Sequence, residues 1–105
     1  MIGQNEPALD DFIRSIDRLH NCTASYNETV QIKEVFQGST VWQGSIHIFN
    51  VSGHPDTYTC YAWVSPIEGS DKRKIYAVLK IPPVDSPEKA VKAAIVQDYR
   101  DSEGQ

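Results

Sequence analysis

The apolar positions change period along the chain. From residue 9 to residue 19, Leu9, Phe12, Ile13, Ile16 and Leu19 recur at spacings of three and four, which places them on one face of a helix. Asp10, Asp11, Arg14, Asp17 and Arg18 fall largely on the other side. Asn5 is the expected N-cap, Pro7 suits the first turn, and the early acids favour the positive end of the helix dipole. The helix is expected to end near His20-Asn21. From residue 40 the period falls to two. Thr40–Val51, Thr57–Val64 and Arg73–Ile81 read as strands, with Gly44 as a bend or bulge in the first. Ser52-Gly53-His54-Pro55-Asp56 is a turn by composition, and residues 65–71 supply a longer hairpin loop. Pro82-Pro83 ends the last strand, because proline cannot donate to a ladder. Ser86 then caps a second helix with Pro87 at its first position. Its apolar stripe is narrow (Ala90, Val91, Ala94, Ile95), and it is expected to run to about Tyr99. Residues 22–39 lack a clean period. Val30, Ile32 and Val35-Phe36 suggest either a peripheral fourth strand at about 29–36 or a packed loop.

The order α-β-β-β-α predicts an α+β domain, a three-stranded antiparallel meander with both helices packed on one face. Alternation assigns Phe49, Val51, Cys60, Ala62, Val64, Ala77, Leu79 and Ile81 to the helix-covered side. The opposite face carries Trp42, Ile46, Ile48, Tyr61, Trp63, Tyr76 and Val78. An aromatic side chain alone buries ~150–250 Å². Monomers rarely expose an apolar patch larger than a few hundred Å², so something is expected to cover these residues. Three covers are open: the 28–36 segment folded back, a second copy of the chain or another protein, or a flat ligand stacked on the rings.

At 105 residues the chain is read as a single domain over 1–105, with flexible ends at 1–5 and 101–105. A hydrophobic fraction of 40% and a charged fraction of 23% are ordinary for a globular protein and do not suggest disorder. No apolar run approaches the ~18–20 residues that span a bilayer. Met1–Pro7 lacks the basic start and apolar stretch of a secretory signal, so a cytoplasmic protein with no membrane partner is expected. The two cysteines, Cys22 and Cys60, are too few for a disulfide framework or a zinc site and are expected to be free and buried. Asn21-Cys22-Thr23, Asn27-Glu28-Thr29 and Asn50-Val51-Ser52 match the N-glycosylation pattern, but without a secretion route they read as turn and cap residues.

The net charge of −4 argues against general nucleic-acid affinity. Its distribution is uneven. Lys72, Arg73, Lys74, Lys80, Lys89 and Lys92 face only Asp85 and Glu88 within residues 72–92, a local +4 that could hold an anion or nucleic acid. The α-β-β-β-α order with lysines in the last helix resembles, in topology, double-stranded-RNA-binding domains. The resemblance covers most of the chain as an element order and implies nucleic-acid binding. Here the last helix begins Ser86-Pro87-Glu88-Lys89, the 65–71 loop is acidic, and His54 lies in a different hairpin from that family's histidine.

For chemistry, His47 and Cys60 lie on neighbouring predicted strands and form the one nucleophile–base candidate. Apolar neighbours of Cys60 would raise its pKa and leave it inert. His54, Asp56 and Cys60 lack zinc spacing, and no phosphate loop, dinucleotide fingerprint or serine elbow is present. The expectation is a non-enzymatic module without cofactor or metal. It would work by self-association, as a homodimer, or by docking another protein through the aromatic face. A nucleic-acid binder using residues 72–92 is the alternative.

Overall fold

The computed structural model describes residues 8–66 and 71–103. Helix α1 spans Leu9–His20 and helix α2 spans Pro87–Glu103. Between them lie strands β1 (Thr23–Phe36), β2 (Ser39–Ser52), β3 (Thr59–Pro66) and β4 (Arg73–Leu79). They form one antiparallel sheet in the order β1-β2-β3-β4. The α+β class and the antiparallel meander therefore hold, and the peripheral fourth strand considered at about 29–36 is present as the longer β1.

Residues 22–39 are neither a loop nor a lid. They form the longest edge of the sheet, turning into β2 at Gln37 and Gly38, whose φ values of 53° and 80° suit a two-residue type I′ hairpin. Ala24 lies opposite Val51 and Tyr26 opposite Phe49; Asn27 then drops out of register and Glu28 lies opposite Ile48. That bulge inverts the alternation. Ala24 serves one side of the sheet, while Val30 and Ile32 serve the other. The expected irregularity at Gly44 lies elsewhere: Gly44 pairs in register with Ile32, and the second shift falls between Glu34 and Val35. Space is tight there, since a Cβ would stand 3.0 Å from the Trp42 ring.

The two helices pack on opposite faces, which corrects the expectation of a one-sided arrangement. Phe12 and Ile16 of α1 share a core with Cys22, Ala24, Phe49, Val51, Cys60 and Ala62. Ala90 and Val91 of α2 share a separate core with Ile32, Ile46, Tyr61 and Trp63. The strand parity read from the sequence divides these two cores correctly; the second helix crosses to the other side. The physical reason is area. The aromatic face has far more apolar surface than water tolerates, and α2 is the amphipathic element available to cover it. An alanine-rich stripe lets its backbone approach closely over the bulky rings.

Local signals set the helix ends. Ala8 is the N-cap of α1, and its backbone N–H donates to the Asp11 carboxylate at 3.1 Å. The expected caps at Asn5 and Pro7 lie outside the described residues, as do residues 1–5 and 67–70. Asn21 closes α1 in the left-handed region at φ 55°, donating to the Asp17 carbonyl at 2.8 Å. Ser86 Oγ accepts from the Lys89 N–H at 3.3 Å, as a cap should. The helix it opens runs to Glu103, one turn past the expected end near Tyr99. No described helix is long and apolar enough to cross a membrane.

Candidate functional site

The expected aromatic docking face is interior. Trp63 is 2% exposed, Tyr61 4% and Ile46 0%, all beneath α2. Ile48, Tyr76, Val78 and Trp42 are partly buried against the same core. Trp63 stacks on Tyr76 with centroids 5.4 Å apart and planes within 2°, and Trp42 meets Trp63 edge-on at 6.1 Å. The Trp42 indole N–H donates to Ser65 Oγ at 3.2 Å. Burial pushes the Tyr61 phenol pKa up, and Asp85 and Glu88 add to the effect. These rings hold α2 to the sheet. The cover is none of the three foreseen ones but the chain's own last helix.

The basic set of residues 72–92 does not converge either. Lys74 lies over the Tyr76 ring, its Nζ 4.9 Å from the centroid. Lys89 pairs with Asp85 at 3.2 Å, and Lys92 reaches Glu34 at 3.6 Å. Lys72 and Lys80 are exposed. Alternation sends Arg73 to the other side of the sheet from Lys74, toward α1.

There Arg73 finds company the sequence did not announce. Arg14, Ser15, Arg18 and Asp11 of α1 line an open groove of about 420 Å³ together with Arg73, Val64 and Ile75. Arg14 and Arg18 are one turn apart, so both project from the same strip of helix. Val64 and Ile75 are paired across β3 and β4 and supply an apolar floor. Asp11 engages Arg14. Among the described residues no ion pair engages Arg18 or Arg73. Counted over the described lining residues, three arginines against Asp11 give the groove a formal charge of about +2 on a chain of net charge −4. Spacing alone hinted at this, since Arg14 and Arg18 stand at i and i+4; the third arginine arrives only through the fold.

Nucleophilic chemistry has less support. His47 and Cys60 do point to the same side, because His47 lies opposite Ala62 and Cys60 opposite Phe49. Yet Cys60 is fully buried, and its thiol pKa is pushed up to about 12, mainly by desolvation and then by Cys22. A thiol so placed stays protonated and unreactive. His47 Nδ1 shares a 2.8 Å hydrogen bond with Thr29 Oγ1, which shares another of 2.6 Å with the Tyr26 hydroxyl. This chain of polar groups ties β1 to β2 across the bulge, and Phe12 packs edge-on to the imidazole at 4.9 Å. His54 accepts from the Asp56 N–H at 3.0 Å within its own turn. Among the described residues no group of three or more His, Cys, Asp or Glu side chains is placed to hold a metal ion.

No family model, curated protein or solved structure matches this chain.

Proposed function

We propose that the domain is a non-enzymatic binding module whose contact surface is the arginine groove between α1 and β4, and that its partner presents an anionic group there. One observation carries the reading: among the described residues, three arginines and one carboxylate line a single groove. Arginine is the side chain suited to such a role, since its planar fork stays charged and matches carboxylate or phosphate oxygens two at a time. The aromatic face, being covered by α2, gives no support to docking or self-association through those rings. The scattering of Lys74, Lys89 and Lys92 into local partnerships weakens the case for nucleic acid along residues 72–92.

The test follows the arginine side-chain N–H resonances during titration with polyglutamate, heparin and a short RNA duplex, at about 50 mM and about 200 mM salt. Saturable binding that shifts Arg14, Arg18 and Arg73, and that weakens at least tenfold in Arg18→Ala and Arg73→Ala, supports the reading. Binding of RNA that instead depends on Lys89 and Lys92 transfers the function to the other side of the sheet. Absence of saturable binding to any of the three at low salt removes the proposal.

A further inference from the structure

Resting on that reading, we infer that the groove selects a phosphate monoester carried on an aromatic ring, the chemistry of a phosphorylated tyrosine side chain. Three features of the site narrow the ligand. The first is charge. Three arginines less Asp11 leave about +2, which a phosphate monoester with −1.5 to −2 charge neutralises and a lone carboxylate does not. Arg18 and Arg73, which no ion pair engages among the described residues, also need more acceptor atoms than one carboxylate offers, whereas three phosphate oxygens serve both. The Ser15 hydroxyl adds a donor on the helix wall.

The second feature is what surrounds the cations. Asp10 and Asp17 stand one turn either side of Arg14 on the same helix, and Asp11 is in the groove itself. A polyanion laid across α1 would meet these carboxylates after one or two charges. A compact dianion would not. The positive field is therefore local, and its reach suits one group rather than a strand of phosphates.

The third feature is the floor. Val64 and Ile75 lie side by side in the sheet and remain only partly buried, packed at the margin of the α1 core. An anion alone has no use for aliphatic walls. A ring attached to the phosphate would lie against them and remove some tens of Å² of apolar surface from water, enough for roughly tenfold in affinity. The volume of about 420 Å³ admits one such side chain.

The experiment compares phenyl phosphate, inorganic phosphate and polyglutamate by titration against the same arginine resonances. The expected result is saturable binding of phenyl phosphate at least about tenfold tighter than inorganic phosphate. Arg73→Ala should weaken it by at least about tenfold, and Arg18→Lys, which keeps the charge but loses the fork, by a smaller factor. Both positions are exposed on the surface, and a thermal melt confirms folding of each variant. Equal affinity for phenyl and inorganic phosphate, lost in the arginine variants, overturns the aromatic carrier and leaves the anion groove standing. Polyglutamate binding through the arginines without phenyl phosphate binding does the same. Failure of all three probes removes both the inference and the function beneath it.

Discussion

His20 Nε2 donates to the backbone carbonyl of Ala77 across 2.8 Å, so the last turn of α1 caps part of the free edge of β4. Lys80 N–H bonds to the Thr59 carbonyl, which sets the ladder phase. Residues 74, 76 and 78 therefore bond inward to β3, while 75, 77 and 79 turn their backbone groups outward. Ile81 N–H takes the Leu79 carbonyl at 2.9 Å, and His20 takes that of Ala77. An edge with two of its carbonyls occupied is a poorer template for another strand. His20→Ala should lower stability by about 1 kcal/mol, the typical net value of one such bond. Faster hydrogen exchange confined to the β4 amides would show that the loss acts at this edge; a uniform change along the chain would count against it.

The aromatic core under α2 gives a second prediction. Trp63→Ala should cost about 3–5 kcal/mol, the range for truncating a fully buried large ring. Trp42→Ala should cost less, because that indole is only half-buried. Gly44→Ala places a methyl group 3.0 Å from the Trp42 ring and should cost about 1–3 kcal/mol while red-shifting indole emission. Iodide quenching that reaches Trp42 and spares Trp63, resolved with single-tryptophan variants, checks the assignment.

Thiol titration provides a third. Burial raises Cys60 from its ordinary 9.0 to about 12, and Cys22 also lies above its ordinary value. The folded state holds the Cys60 proton where the unfolded chain releases it. Stability is therefore insensitive to this thiol below about pH 9 and falls as pH rises from there toward 12, at up to about 1.4 kcal/mol per pH unit. Chemical denaturation at successive pH values, compared with Cys60→Ala, isolates the slope. At neutral pH a thiol reagent should label Cys60 only after unfolding.

A fourth concerns Glu34, which is 8% exposed and turned toward α2 from the edge strand β1. Its partner Lys92 is largely in solvent, so Lys92→Ala should cost under about 1 kcal/mol and less still at high salt. An inward-facing charge on an edge strand discourages pairing with another chain. Glu34→Ile should keep or raise thermal stability yet increase aggregation, as light scattering would report. Unchanged scattering would leave Glu34 without that role.

How far these features were legible in the sequence depends on the distance over which each is encoded. The two faces of β2, β3 and β4 follow from strict alternation, and Phe49, Cys60 and Ala62 against Ile46, Tyr61 and Trp63 divide as the period of two requires. Strand β1 was obscured because the bulge at Asn27 breaks its alternation, so Ala24 and Val30 look out of phase although both are core. The side taken by α2 is not written in its own stripe, since Ala90, Val91 and Ala94 would pack on either face. The excess of apolar area on the aromatic side was the available clue. The arginine groove lay further out of reach: Arg14 and Arg18 read as a solvated helix flank until the fold brings Arg73 across from a strand more than fifty residues away.

The crossing of α2 to the far side also bears on synthesis. By Leu79 the ribosome has delivered every strand and the first helix, and so one complete hydrophobic layer. Trp63, Tyr61 and Ile46 still lack their roof, which lies further along the chain. For that interval the nascent chain displays a greasy plate to solvent or to whatever chaperone attends it. A chain interrupted before Pro87 would keep that plate bare for good and would be a ready substrate for quality control.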